Sequence, residues 1–343
     1  MTSAVAGRWA GLAIDAIDVG YLGREGSAAA FVVRLDSAGS DSILVECGTA
    51  ANQPRLEAGV RALGVEPATI DTLLLTHIHL DHAGGAGHWA LRGTDVFVHP
   101  FGVRHLADPA KLIASSRRVH GASYDRFYGD PLPCPAERLH AVADGESIVR
   151  RGMRMTAIET PGHARHHHAW LLAPESASPK NPAVLFAGDI AAMRTPGSQH
   201  ISVPTPPPEF DLAAWLASLD RLEEIASARP IQLWLTHLGP VADARRHLRA
   251  VRERLCEEVA FAEGLLDEEA RRQADAASSG PGVPVAAAGQ LDLAARYREW
   301  LWPRATADGV REELLRSFLG DHFTAMNLGG IRRWREQRGP TTP

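Results

Sequence analysis

Cysteine is scarce in this chain. Its only three, Cys47, Cys134 and Cys256, are widely separated and odd in number, so neither a disulfide framework nor a cysteine zinc site is expected. A reducing compartment fits that count. Basic charge is also short: 36 Lys and Arg stand against 41 Asp and Glu, a formal net charge of -5, which leaves no basic stripe and speaks against nucleic acid as a substrate. No apolar run is long enough to span a bilayer. The first residues, Met1 to Trp9, lack a basic start followed by an apolar core of leader length. The expectation is a cytoplasmic protein that engages no membrane. At 343 residues the chain can bury a large core, enough for one large domain plus an extension.

Histidine, by contrast, is plentiful, with 16 copies unevenly placed. Between Leu73 and Gly85 three histidines and a carboxylate, His77, His79, Asp81 and His82, fall within six residues after an apolar run. A strand ending at Leu73 to Leu75 would deliver His77 and His79 at alternate positions, so that both imidazoles face one way. Asp81 and His82 would follow on the turn. Imidazole with carboxylate suits zinc, iron or manganese, and two ligand types in one short loop point to two adjacent ions rather than one closed structural site. Any one of these histidines alone reads as a solvated or core residue. Their density sets them apart, as do the small residues Ala83, Gly84 and Gly85 that let a helix begin close by.

The run His77-x-His79-x-Asp81-His82 resembles the signature of the metallo-β-lactamase superfamily. Three later segments are similar to further motifs of that family, in the same order: Thr160-Pro161-Gly162-His163, the apolar strand Val184 to Ala187 ending in Gly188-Asp189, and the apolar strand Leu233 to Leu235 ending in Thr236-His237. The resemblance spans about residues 10 to 240. It implies that His77, His79 and His163 hold one ion, that Asp81, His82 and His237 hold the other, and that Asp189 bridges them. The implied cofactors are two divalent ions, zinc first, with manganese or iron as alternatives. Hydroxide held between such ions is a nucleophile near neutral pH, because the metal lowers the pKa of bound water to about 7. Asp81 is a candidate proton carrier as well as a ligand.

Of the remaining histidines, His166, His167 and His168 follow His163 closely, and His167 is the candidate for orienting a ligand from behind. The other reading is an ordinary strand entry before Ala169-Trp170-Leu171-Leu172. Glu46, in Glu46-Cys47-Gly48, stands where many relatives have Asp, which puts a supporting contact in question. His99 could face the cleft from a neighbouring strand. The stretch with His120, Tyr124, Phe127 and Tyr128 reads as a substrate-side insertion.

Alternating or apolar runs at 28–35, 42–46, 73–75, 96–99, 153–159, 169–172, 184–187 and 232–235 read as strands, with helical patterns at 53–63 and 212–228 between them. Ligands at strand ends with helices outside give an α/β layered fold, which the resemblance specifies as an αββα sandwich. The expected catalytic domain is 1–242. Beyond it, Leu248, Val251, Leu255 and Val259 recur at helical spacing, so 243–343 is expected to be a helical extension with a break at Ser278 to Pro284. Its aromatic residues Tyr297, Trp300, Trp302, Phe318 and Phe323 have three readings: the extension's own core, a pocket lining or a homodimer contact.

The function the resemblance implies is hydrolysis of a small-molecule acyl thioester or ester, narrowly ahead of a lactone of the acyl-homoserine-lactone type. No basic glutathione-binding cluster is found, and the motifs of the nuclease branches are absent too. From other classes, a mononuclear iron persulfide dioxygenase and a non-catalytic binding or regulatory protein share the fold. The complete ligand set favours two metals over either.

Overall fold

The computed structural model describes residues 5–35, 41–195, 197–278 and 292–338. The chain divides into two compact units, one of residues 1–193 and 212–249 and the other of residues 194–211 and 250–343.

The first unit is built on two sheets. In the larger, seven strands lie side by side in chain order: β1 (Val5–Trp9), β2 (Leu12–Asp18), β3 (Ala29–Arg34), β4 (Ser42–Val45), β5 (Thr72–Leu74), β6 (Asp95–Val98) and β7 (Leu139–Ala141). Pairing is antiparallel as far as β4 and parallel from there to β7. The second sheet runs β8 (Ser147–Arg150), β9 (Met153–Glu159), β10 (His168–Pro174), β11 (Ala183–Phe186), Ile231–Leu235, Gly239–Val241.

Side chains on successive strand positions face opposite ways, and both directions are apolar here. Phe31 and Val33 of β3 enter a core between the sheets with Ile43, Val45, Phe97, Met155, Trp170, Phe186 and Trp234. Ala30 and Val32 face a second core with Leu56, Val60, Trp89, Leu106 and Tyr124 on the helical side. Burial on both faces is why these strands read as nearly unbroken apolar runs. The covering helix Gln53–Ala62 starts with proline in its first turn and presents Leu56 and Val60 one turn apart. Gly64, at φ 76, follows its end. The result is the expected α/β sandwich of mixed sheets flanked by helices.

Asp81 and His82, expected on a turn, lie instead in a short helix, Leu80–Ala83, with His79 at its N-cap. The residues after them carry no β-branched side chain or proline and permit the helix. His99 is likewise a cap: it accepts from the Phe101 amide at 3.1 Å at the head of Pro100–Ala107 and approaches Glu159 at 3.3 Å. The expected insertion is a helix pair, Ala110–His120 and Ser123–Phe127.

In the second unit, the long helix Ala244–Ser278 runs on from the first, and Leu293–Ala307, Glu312–Phe318 and Asp321–Arg338 follow. Val251, Leu255 and Val259 are buried, as their spacing requires. The segment 197–211, rich in proline, is tied to helices of its own unit: the Thr205 amide donates to Asn327 Oδ1 at 3.1 Å, and His200 Nδ1 lies 2.9 Å from Asp308. Tyr297 is buried, and Trp300 stacks on Phe261 at 4.5 Å, so both serve the unit's own packing. The expected break from Ser279 to Pro284 and the Phe318 side chain lie outside the described residues.

Glu258 is buried in this unit, where the Tyr297 hydroxyl donates to its Oε2 at 2.7 Å while Oε1 has no partner. Burial raises its pKa from 4.5 to about 8, against the opposing hydrogen bond from Tyr297. An acid raised on folding favours the folded state fully below its unfolded pKa, progressively less up to its folded pKa, and by a constant smaller amount above that. Glu258→Gln keeps the neutral shape, so it should match the wild type near pH 4 and exceed it by roughly 4 kcal/mol near pH 8. Thermal unfolding of the full chain across that range reads the difference; equal pH slopes would show that Glu258 is not held neutral.

Candidate metal centre

Four strand ends meet at one edge of the sandwich. Beyond β5 come His77, His79, Asp81 and His82; beyond β9, His163; beyond β11, Asp189; and beyond Ile231–Leu235, His237. Backbone shape at these exits is demanding. Gly188 holds φ 53, and a Cβ there would lie 2.6 Å from both His167 Nε2 and Thr76 Oγ1. Gly162 holds φ 135 with the Trp215 backbone 2.3 Å from where its Cβ would be. Only glycine lets Asp189 and His163 approach so closely.

The side chains converge in two groups. His79 Nδ1 is 2.9 Å from His77 Nε2 and 2.9 Å from His163 Nε2. Asp81 Oδ2 lies 3.8 Å from His82 Nε2 and 3.6 Å from His237 Nε2. Asp189 stands between the groups, with Oδ1 3.3 Å from His82 Nε2 and 3.5 Å from His237 Nε2, and Oδ2 3.4 Å from His163 Nε2. All seven residues predicted from sequence are thus brought together. Each triplet His77, His79, His163 and Asp81, His82, His237 keeps its donor atoms within 4.8 Å of one another, close enough to hold an ion.

The donor set fits cations. His82 Nε2 and Asp189 Oδ1 are buried without a hydrogen-bond partner, an arrangement that is costly unless something else satisfies them. Burial, reinforced by neighbouring imidazoles, holds His77 and His79 well below the usual histidine range, so their lone pairs stay available. Burial opposes ionisation of Asp189, but His82 and His237 beside it outweigh that and hold the carboxyl well below its usual value.

The atoms behind the ligands decide which ring nitrogen faces inward. Glu46, buried, accepts from the Thr76 hydroxyl at 2.5 Å, His82 Nδ1 at 3.0 Å, the Thr236 hydroxyl at 3.2 Å and the Thr76 amide at 3.3 Å. The Thr76 hydroxyl is spent on Glu46, so its oxygen accepts from His77 Nδ1 at 3.1 Å. Glu46 therefore orients His82 directly and His77 through Thr76, each with Nε2 turned inward. The longer acid keeps the contact that the departure from Asp put in question. His237 Nδ1 donates to the Ser27 carbonyl at 2.5 Å. His167 accepts from the Asp189 amide at 3.2 Å and bonds Thr160 Oγ1 at 2.8 Å, so it supports Asp189 from behind. His168 turns away to the Leu75 carbonyl at 2.8 Å, and His166 stacks on Phe101.

Reasoning from sequence gave no role to Thr76, Thr236, Ser27 or Tyr21, and placed Tyr128 only in the substrate-side insertion. The two threonines had a signal, since Thr precedes His at two of the apolar strand ends. The others had none, because their contacts are made across the fold.

Residues 23–229 match the family described as the metallo-beta-lactamase superfamily, and His237 lies just beyond the match. Among curated relatives, the metallo-beta-lactamase fold-containing protein ST1585 of Sulfurisphaera tokodaii is 29% identical over 177 residues, covering 50% of this chain and 62% of the relative. Thioesterase pkgB of Emericella nidulans is 28% identical over 151 residues, 44% of this chain and 33% of that one. A hydroxyacylglutathione hydrolase of Xanthomonas campestris is 29% identical over 178 residues, 52% of each. The chain thus spans about half the length of the curated relatives it matches. The crystal structure of ST1585 from Sulfolobus tokodaii shares the fold, with a TM-score of 0.60 at 20% identity, over 93% of this chain and 98% of that one. With most of its length inside the family match and the ligand segments at four strand ends in the expected order, the chain belongs to the metallo-beta-lactamase superfamily.

Proposed function

We propose that this protein is a dinuclear metal hydrolase of small acyl thioesters or esters, with lactones as the second choice. The observation that carries the reading is the pair of donor groups flanking Asp189, whose buried Oδ1 and the facing His82 Nε2 make no hydrogen bond within the protein. His77, His79 and His163 would hold one ion, Asp81, His82 and His237 the other, and Asp189 both. Two such ions, zinc in the first instance, supply an activated water at neutral pH and polarise the scissile carbonyl.

The chain's own groups do the rest. Glu46 and Ser27 fix the ring orientations, which leaves the reacting face without reorganisation during turnover. Asp81, its side chain 16% exposed against 5% for Asp189, is the ligand carboxylate that substrate can reach. We assign it the proton passed from the attacking water to the leaving group. The relatives named as a thioesterase and a hydroxyacylglutathione hydrolase support the choice of a thioester. Neither nucleic acid nor membrane enters this reading. Among the described residues no helix is long and apolar enough to cross a membrane.

The test is metal content of protein purified without chelator or affinity metal, followed by a panel of acyl thioesters, aryl esters and lactones. Close to two zinc or manganese ions per chain, with thioesters turned over at least about tenfold faster than lactones in kcat/KM, is the expected result. One iron per chain with oxygen uptake on a persulfide would replace hydrolysis by dioxygenase chemistry.

A further inference from the structure

The loop between β2 and β3 does more than connect strands. Asp18 closes its base, accepting from the Gly20 amide at 2.8 Å and the Gly26 amide at 2.7 Å, while Arg55 Nε donates to the Asp18 carbonyl at 2.8 Å. Inside the loop the Ser27 hydroxyl donates to the Tyr21 carbonyl at 2.7 Å. The Ser27 carbonyl is the acceptor for His237 Nδ1, and the next strand residue, Ala29, donates its amide to the Thr236 carbonyl at 2.8 Å. The tip is held elsewhere: the Tyr21 hydroxyl meets the Tyr128 hydroxyl at 2.5 Å, with the rings edge to face at 5.7 Å. Tyr21 also lies against the His237 ring, centroids 6.1 Å apart, and Tyr128 stacks on His120 at 4.3 Å. Both tyrosines are buried. Burial, with the Asp81 charge adding to it, raises both phenols and keeps them protonated, so the pair shares a hydrogen bond rather than a charge.

We propose that Tyr21 and Tyr128 are a positioning pair for His237: their hydroxyl contact docks the loop on the 110–128 insertion, and the docked loop holds the Ser27 carbonyl where it fixes the His237 tautomer. Nothing else in the loop reaches that insertion through paired polar atoms among the described contacts. The consequence is selective. His237 belongs to the Asp81, His82, His237 group, while His77 of the other group is oriented through Thr76 and Glu46. Loosening the loop therefore weakens one group and spares its neighbour. The inference rests on the metal reading of the site for its second consequence, and on the metal-free protein for its first.

The experiment uses full-length protein with 15N-labelled imidazoles and the variants Tyr21→Phe, Tyr128→Phe and the double variant. A single variant strands one buried hydroxyl, which costs about 1–3 kcal/mol, whereas the double variant removes both partners and is the one that stays folded if a single does not. In metal-free protein, the His237 Nδ1 proton should be well downfield and slowly exchanging, and should exchange at least about tenfold faster in every folded variant. Under chelator titration, affinity for the second ion should fall roughly 10–100-fold while the first is retained, with the double variant no worse than a single. Unchanged exchange of the His237 proton, or equal loss of both ions, overturns the positioning role. If the metal-free result appears as expected but the wild type binds a single ion, the positioning role stands and the dinuclear reading fails.

Discussion

Asp189→Ala should lower thioester turnover by more than about a thousandfold and reduce bound metal below two ions per chain. The size of the effect follows from geometry. One carboxylate oxygen faces His82 and His237, and the other faces His163, so a single side chain serves both donor groups. Alanine removes the only buried anion lying between them among the described residues, and the surrounding imidazoles would then repel any pair of divalent ions more strongly. The fold should survive, because the Asp189 amide bond to His167 does not depend on the side chain. Asp189→Asn is the sharper variant, since it keeps the volume and loses the charge. Near-normal kcat with two ions still bound in either variant would sink the dinuclear mechanism.

The second large effect is expected at Glu46. Its four hydrogen bonds reach His82, Thr236 and both polar groups of Thr76. Alanine would orphan these buried donors together and cost about 2–4 kcal/mol of stability. Glu46→Gln is the informative change, because it retains the size while placing an amide donor opposite groups that also donate. We expect affinity for both ions to fall about 10–100-fold, the second through His82 and the first through Thr76 and His77. That pattern differs from the one expected of the tyrosine variants, in which only the second ion is lost. Competition with a chromophoric chelator reads both steps. A glutamine variant that is less stable but binds both ions at wild-type affinity would reduce Glu46 to a packing role.

The candidate metal-binding residues were legible because each follows an apolar strand, and strand periodicity with a polar stop survives in a one-dimensional reading. Helix Leu212–Ala228 was legible to the residue. Strand β2 was harder. Its sequence, Leu12-Ala-Ile-Asp-Ala-Ile-Asp18, mixes acids with apolar residues, since Asp15 is paired with Arg34 across the sheet at 2.8 Å. The turn assigned to Asp81 and His82 is a helix, Leu80–Ala83, which the small residues that follow permit; Gly84 and Gly85 pack so close to Thr49 and Gln53 that a side chain at either would clash.

The sequence by itself determined the candidate donor types, their order along the chain and the layered α/β architecture, since these follow from residue chemistry and local period. Only the tertiary structure decided which nitrogen of each ring faces inward, and which of His166, His167 and His168 stands behind Asp189. It also decided that Ser27 and Tyr21 are drawn into the site, and that Glu46, already marked by the sequence as a supporting contact, reaches both His82 and Thr76. The reason is that a hydrogen bond is specified by direction and by distances of about 3 Å. Between Ser27 and His237, 210 positions apart in the chain, no local pattern carries that information until the two sheets have packed.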